Sequence, residues 1–66
     1  MNTQKLKGKM IEKGFTPKSL AEKVGIDRSS MYRKLNSVGK FTIGEAKAIK
    51  TILELTDSEA SAIFFD

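Results

Sequence analysis

The side chains best equipped for chemistry are two arginines and the hydroxyl groups that lie between them. Arg28 and Arg33 flank a short segment that contains Ser29 and Tyr32. A guanidinium can donate two parallel hydrogen bonds to one acceptor group, such as a phosphate or the O6 and N7 edge of guanine. A serine hydroxyl can pair with either type of base. The segment therefore suits the recognition of hydrogen-bond acceptors.

The residue types missing from the sequence argue against most catalytic and metal-binding functions. The 66 residues include no His and no Cys, so the chain lacks the usual general base, the commonest metal ligand and any disulfide. Its carboxylates fall mainly at expected helix caps and on exposed helix faces, and so short a chain offers no deep pocket. We therefore expect no enzyme activity, no metal and no cofactor.

Positive charge is concentrated in the first part of the chain. Residues 1–40 hold ten Lys and Arg against three acidic residues, whereas residues 41–66 carry a net charge of −3. A polyanion is the natural partner of the basic part, although a solvated lysine-rich surface explains the charge equally well.

The longest apolar run, Ala62–Phe65, is far shorter than the roughly 20 residues of a membrane span. The residues that follow Met1, Asn2–Lys5, are polar. From the short apolar run and this polar start we expect no signal peptide, no contact with a membrane and a cytoplasmic location.

Helix boundaries are marked clearly, and strand patterns are weak because no stretch alternates convincingly between polar and apolar residues. Thr16 followed by Pro17 marks a helix start, Gly25 marks a helix end, and two Thr-x-x-Glu segments have the spacing of capping boxes. We predict a single all-α domain over residues 1–66 with five short helices. They cover residues 3–13, 17–24, 28–36 and two segments that begin after Thr42 and Thr56.

Apolar residues at helical spacing predict which face of each helix is buried. In the first helix, Leu6, Met10 and Ile11 are expected to share that face. Phe65 falls beside the buried face of the last helix, where it either finishes the core or contacts a second copy of the chain. The other residues expected to face inward are Leu20, Ala21, Val24, Ile26, Met31, Leu35, Ala46, Ile49, Ile52, Leu53, Ala60, Ile63 and Phe64.

The second and third helices meet across a very short turn. Ala21 is small where the next helix crosses, and Gly25 permits the left-handed backbone of a sharp corner. Their spacing, completed by apolar Met31, is the helix-turn-helix pattern. With Met31 inward at ~100° per residue, the opposite face of the third helix points to solvent. That face carries Ser29 and Arg33 at its centre, Ser30 and Tyr32 at its flanks and Arg28 at its tip.

On these residues the sequence resembles the lambda-repressor and Cro-like family of helix-turn-helix proteins, including its xenobiotic-response-element type. The resemblance implies a five-helix, all-α, lambda-repressor-like domain that binds double-stranded DNA, and it covers nearly the whole chain. The matching segments are Leu20-Ala21-x-x-x-Gly25-Ile26, Ser29-Ser30 and Arg33-x-Leu35-Asn36 for the core motif, with Phe41-Thr42-Ile43-x-Glu45 and Ile63-Phe64-Phe65 as in small phage-type members.

The resemblance also implies roles for the third helix. A recognition helix at about residues 28–36 would enter the major groove with its first residues against base edges. Asp27 is expected to cap this helix rather than to contact a base. Tyr32 can equally pack its ring on the edge of the domain, and the arginines have an alternative interpretation as solvated surface charges. The residues assigned to base contacts are Arg28, Ser29, Tyr32 and Arg33.

Phosphate contacts are expected on both sides of the groove, from the start of the second helix and from nearby cations. Ser30 is assigned to a phosphate contact, and the alternative is that its hydroxyl forms hydrogen bonds only with backbone groups. Two departures from the family pattern matter here, since Pro17 stands where members often carry Gln and Ser37 where they often carry Gly. Neither is expected to block DNA binding, although both are expected to lower affinity. The residues assigned to phosphates are Pro17, Lys18, Ser30, Lys34 and Lys40.

The sequence thus predicts a sequence-specific transcriptional regulator, a Cro-type repressor of a phage or mobile element that works on the nucleoid in a prokaryotic cytoplasm. A domain of this size contacts only a half-site, so a homodimer is a further hypothesis. The alternative function is a protein-binding modulator, an antirepressor that uses the same helices to bind another repressor. The departure at Pro17 and the exposed position of Tyr32 favour that alternative.

Overall fold

The computed structural model describes residues 1–36 and 39–65. Within these ranges the chain forms five helices and no strand, which confirms the predicted all-α class. The first and third helices end one residue before their predicted ends, because Lys13 and Asn36 are C-caps. No helix of the described part is long and apolar enough to cross a membrane. The helices are α1 (Thr3–Glu12), α2 (Pro17–Val24), α3 (Arg28–Leu35), α4 (Ile43–Ile52) and α5 (Asp57–Phe64).

Side-chain caps define the start of each helix. The two Thr-x-x-Glu capping boxes form as predicted at α4 and α5. Thr16 caps α2 as predicted, but it also forms a capping box that the sequence did not reveal, because the partner is Ser19 rather than an acid. Asn2 caps α1 by accepting a hydrogen bond from the backbone N–H of Lys5 at 3.1 Å. Such caps stabilise helices too short to persist alone in water.

The core lies where the inner faces of the five helices meet. Ile11 is 78% exposed, so the expectation that it shares the buried face of Leu6 and Met10 is wrong. It lies ~100° around α1 from Met10, which turns it away from the core. Leu55 is buried in the turn before α5, where no helical spacing could identify it. The buried residues are Leu6, Met10, Leu20, Ala21, Met31, Leu35, Ile49, Leu53, Leu55 and Ile63, with Phe15, Val24, Ile26, Phe41, Ile52, Ala60 and Phe64 partly buried against them.

The first and last helices pack together and join the two ends of the chain. The backbone N–H of Asn2 donates to the carbonyl oxygen of Ile63 at 2.7 Å. Lys9 of α1 forms an ion pair with Glu59 of α5. That ammonium, together with the backbone N–H of Thr56, favours the charged carboxylate and lowers the pKa of Glu59 to about 2. As predicted, α5 closes the core against α1.

Candidate nucleic-acid interface

The corner between α2 and α3 has the geometry that the sequence predicts. Gly25 ends α2 with a left-handed backbone, at φ 87° and ψ 30°. Asp27 then caps α3, since its carboxylate accepts a hydrogen bond from the backbone N–H of Ser29 at 2.9 Å. The carboxylate is therefore engaged with its own helix, as expected for a cap. The turn places Arg28 and Ser29 in the first turn of α3.

The outer face of α3 presents the residues that the sequence assigns to base contacts. Met31 is fully buried, which fixes the inner face of the helix. Arg28, Ser29 and Arg33 are exposed, and the ring of Tyr32 is 47% exposed. Their exposure is confirmed, whereas their contacts with bases stay a prediction. The four side chains occupy one solvent-facing surface, which we call the α3 face.

The two arginines keep their hydrogen-bonding capacity. Arg28 and Arg33 take part in none of the ion pairs formed within residues 1–36 and 39–65. Neither guanidinium is therefore neutralised by a described carboxylate, and all of their donors can serve a ligand. Ser30 is half-buried, and its hydroxyl forms no hydrogen bond within the same ranges, so the alternative of a backbone bond finds no support there.

The start of α2 is less open to a phosphate than its position suggests. Pro17 has no backbone N–H, and the N–H of Ser19 already donates to the Thr16 hydroxyl at 3.1 Å. The reciprocal bond from the Thr16 N–H to the Ser19 hydroxyl measures 2.9 Å. Among the next N–H groups of α2, that of Leu20 donates to the carbonyl oxygen of Thr16 at 2.9 Å, and that of Lys18 lies outside the capping box. Its ammonium is exposed as well, so Lys18 combines two donors at this helix end.

The two remaining lysines of the predicted phosphate set differ in environment. Lys40 is exposed and takes part in no ion pair of the described residues. Lys34 is half-buried, and its ammonium lies 2.7 Å from a carboxylate oxygen of Glu45 in α4. This pairing and a backbone hydrogen bond from Thr42 lower the pKa of Glu45. The predicted role of Ser37 lies outside the described residues.

A contact that the sequence did not reveal joins α1 to the end of α3. The ammonium of Lys7 donates to the side-chain oxygen of Asn36 at 3.4 Å. The two residues are 29 positions apart, and no local pattern relates them. Beside this contact an apolar groove of about 300 Å³ opens along α3. Its lining includes Ile11, Phe15, Pro17, Tyr32 and Leu35, and we call it the α1–α3 groove.

The arrangement supports binding of an anionic polymer by hydrogen bonds and charge. Within the described ranges, no group of three or more His, Cys, Asp and Glu side chains is placed to hold a metal ion. The α3 face offers two guanidinium groups that form no ion pair with the described residues, on a helix that begins at a tight corner. An exposed helix of this kind fits the width of the major groove of B-form DNA.

Comparison with known proteins agrees with this geometry. The model of the Cro/C1-type HTH DNA-binding domain matches residues 5–59, which include the whole of α2, α3 and α4. No curated protein and no solved structure gives a significant match. The match confirms the resemblance noted from the sequence and covers most of the chain. The protein therefore belongs to the Cro/C1-type family of helix-turn-helix DNA-binding domains.

Proposed function

We propose that the protein is a sequence-specific transcriptional repressor of the Cro type that places α3 in the major groove of its operator. The observation that supports this proposal is the pair Arg28 and Arg33, both exposed and both outside the ion pairs of the described residues. Guanidinium groups that no described carboxylate neutralises can each donate two hydrogen bonds to the O6 and N7 edge of a guanine, and contacts with base edges are what make binding sequence-specific. The resemblance to small phage-type members supports a phage or mobile-element origin, with action on the nucleoid in a prokaryotic cytoplasm.

Each side chain of the α3 face has a defined role in this proposal. Arg28 and Arg33 each donate two hydrogen bonds to O6 and N7 of a guanine. Ser29 pairs with a neighbouring base edge, and Tyr32 contacts a thymine methyl group or a phosphate. The flanking phosphates are bound by Lys18, Ser30 and Lys40, and Pro17, which has no N–H to donate, starts the helix that presents Lys18. Lys34 is left out of this set because its ammonium is already bonded to Glu45.

Selection from a pool of randomised duplex DNA at near-physiological salt tests the proposal. We expect the purified protein to enrich a defined sequence that contains guanines at fixed positions. The matched control is the double variant with Arg28→Ala and Arg33→Ala. This variant should enrich no sequence, and its helical circular dichroism should stay unchanged. If the parent enriches no sequence, the proposed repressor function is wrong. If the double variant enriches the same sequence, the assignment of the two arginines is wrong.

The proposal extends to a symmetric homodimer on DNA, because one small domain covers only half of a typical operator. Two apolar side chains support such an interface, since Phe65 is 86% exposed and Ile43 is 77% exposed. Both line a groove of about 410 Å³ between α4 and α5, together with Phe41 and Phe64. Exposed apolar clusters of this kind commonly mark contacts between proteins.

Sedimentation equilibrium tests the homodimer. We expect a concentration-dependent mass that rises toward twice the 7.3 kDa of one chain, and Phe65→Ser should abolish the rise. Ile11→Ser is the matched control, since Ile11 is equally apolar and exposed but lies in the α1–α3 groove. A mass that stays monomeric well above micromolar concentration would reject association in the absence of DNA. An enriched inverted repeat, with half-sites one helical turn apart, would support association on DNA.

One observation favours the second candidate, a modulator that binds another repressor. Exposed Ile11 and Tyr32 both line the α1–α3 groove, and a phosphate backbone offers no partner for an exposed isoleucine. On this alternative the protein binds duplex DNA weakly and captures a repressor protein with a nanomolar Kd. Ile11→Glu should then abolish capture without changing DNA binding. Tight, sequence-specific DNA binding by the isolated protein would count strongly against this candidate.

A further inference from the structure

Lys34 and Glu45 form the most shielded ion pair among the described residues. Their side chains are only 19% and 16% exposed, and the ammonium nitrogen lies 2.7 Å from the carboxylate oxygen. The other four ion pairs each include a side chain that is about a third exposed or more. Partial burial weakens solvent screening, so this pair holds its geometry better than an ordinary surface pair.

The carboxylate of Glu45 is held in place by its own helix before it meets Lys34. The oxygen that accepts from Lys34 also accepts from the backbone N–H of Thr42 at 2.8 Å. In return, the hydroxyl of Thr42 accepts from the backbone N–H of Glu45 at 3.0 Å. The capping box of α4 therefore fixes the anion to which the ammonium of Lys34 binds.

An aromatic ring adds a second attraction on the same ammonium. The nitrogen of Lys34 lies 5.8 Å from the centroid of the Phe41 ring, within the range of a cation–π interaction. Phe41 is itself packed edge-on against Phe64 of α5, with ring centroids 6.1 Å apart. The carboxylate of Glu45 and the ring of Phe41 thus both attract the ammonium of Lys34 toward the start of α4.

Arg33, which precedes Lys34 in the chain, differs from it in exposure and in ion pairing. Arg33 and Lys34 both lie in the last turn of α3. Arg33 is exposed and forms no ion pair within residues 1–36 and 39–65, whereas Lys34 is half-buried and paired. Two adjacent cations on the proposed DNA-binding helix therefore have opposite availability to a ligand.

We propose that Glu45 is a positioning residue that binds Lys34 to α4 and keeps its ammonium away from the DNA backbone. This inference rests on the proposed function, in which α3 meets DNA, and it replaces the phosphate contact that the sequence predicted for Lys34. A phosphate contact by Lys34 would strengthen binding to every sequence alike, because phosphates carry no sequence information. Glu45 therefore limits sequence-independent binding and leaves selectivity to the unpaired arginines.

The experiment compares four proteins: the parent, Lys34→Gln, Glu45→Gln and the double variant. Binding to a duplex of random sequence is measured by fluorescence anisotropy from 50 to 200 mM salt. We expect the parent and Lys34→Gln to show the same slope of log affinity against log salt. Glu45→Gln should steepen that slope by about 0.9, since it adds one phosphate contact. That change corresponds to an affinity loss about 3.5-fold larger over the same salt range.

The double variant distinguishes release of Lys34 from the loss of a nearby negative charge. If Glu45 acts through Lys34, the double variant returns to the slope of the parent. An equally steep slope in the double variant would overturn the inference, and so would an unchanged slope in Glu45→Gln. A flatter slope in Lys34→Gln alone would overturn it as well, because Lys34 would then contact a phosphate in the parent.

The four proteins distinguish an effect of Glu45→Gln on folding from an effect on DNA binding. A glutamine oxygen at position 45 can still accept from the Thr42 N–H, so the cap of α4 is retained and circular dichroism should show unchanged helix content. If Glu45→Gln were nevertheless unfolded, the slope of Lys34→Gln alone decides whether Lys34 contacts phosphate. If the parent bound no duplex at any salt concentration, the proposed function would fail and this inference with it. Duplex binding with equal slopes in all four proteins would reject the role of Glu45 alone.

Discussion

The backbone N–H of Gly25 donates a hydrogen bond to the carbonyl oxygen of Ala21 at 2.8 Å and so closes α2 at its corner with α3. The N–H of Ile26 donates to the same oxygen at 3.1 Å. A single carbonyl oxygen thus accepts hydrogen bonds from both residues that precede Asp27, the N-cap of α3. The direction of the α3 face therefore depends on a left-handed glycine that no ligand touches in the proposed complex.

Substitution of Gly25 is expected to destabilise the fold, whereas the same change at Gly8 should stabilise it. Gly25 has a φ of 87°, which costs an L-residue about 1–2 kcal/mol, and its surroundings leave room for a methyl group. Gly8 lies inside α1, also with free space around it, where alanine favours the helix by about 1 kcal/mol. Urea unfolding of Gly25→Ala and Gly8→Ala should give free-energy changes of opposite sign. A Gly25→Ala variant at least as stable as the parent would contradict the assigned cost of the left-handed backbone.

Two neighbouring residues of α1 should respond very differently to truncation. Met10 is 3% exposed, and Met10→Ala should lower the free energy of unfolding by about 2–5 kcal/mol because a cavity replaces packed atoms. Ile11→Ala should change it by no more than about 0.5 kcal/mol, since the side chain is in solvent. Thermal unfolding of both variants checks this difference. A large loss in Ile11→Ala would mean that this residue is covered by another chain or by the core.

Acid should weaken the contact between α1 and α5. The pKa of Glu59 is about 2 in the fold because Lys9 and a backbone N–H favour the carboxylate, whereas an unfolded chain gives about 4.3. The unfolded state therefore binds a proton first as the pH falls. The stabilisation is complete above pH ~4.5 and is lost as the pH falls toward 2.

Glu59→Gln tests that pH dependence against a matched variant. It removes the titrating group but keeps an oxygen for the Thr56 N–H, so stability should fall less steeply than in the parent between pH ~4.5 and 2. Glu12→Gln is the matched variant because it removes the other acid near Lys9, which is 59% exposed and 3.4 Å away, and leaves the ion pair between Lys9 and Glu59 in place. Urea unfolding across this pH range measures the slopes. Equal slopes in the parent and Glu59→Gln would contradict the assigned pKa.

The cations proposed to bind phosphate should affect all DNA sequences equally. Lys18→Ala and Lys40→Ala should each flatten the slope of log affinity against log salt by about 0.9, without changing the preferred sequence. Lys47→Ala is the control, because Lys47 is exposed but lies on α4, outside the proposed contact set. Anisotropy titrations with one specific and one random duplex measure both quantities. A changed sequence preference in Lys18→Ala would mean that this residue contacts a base.

Local chemistry explains why most of the fold could be predicted from the sequence. Caps and stop residues act over three or four positions, so Thr16, Gly25 and Asp27 defined the corner correctly. Exposure of the α3 face followed from the helical period once Met31 was taken as buried. Ile11 was misjudged because an apolar residue at the edge of a helical stripe is buried only if a neighbouring helix reaches it. Its position relative to α3 is a property of packing rather than of spacing.

Contacts between distant residues were the part that the sequence could not supply. Lys34 and Glu45 are 11 positions apart, and both residues also fit a simpler local role, as a surface cation and as a helix cap. The bond from Lys7 to Asn36 spans 29 positions and needs the packing of α1 on α3. Residue type alone led to the prediction of a phosphate contact for Lys34, and its ion pair with Glu45 became visible only in the tertiary structure.

Binding of DNA by the α3 face can be tested directly by NMR titration of the ¹⁵N-labelled protein with duplex DNA. We predict that the largest amide shifts fall on Lys18 and on residues 28–33, with smaller shifts in α4 and α5, where the proposed homodimer would form. Arg28→Ala with Arg33→Ala should reduce these shifts at the same DNA concentration. Shifts concentrated along the groove between α4 and α5, with the amides of α3 unchanged, would show that DNA does not bind the α3 face.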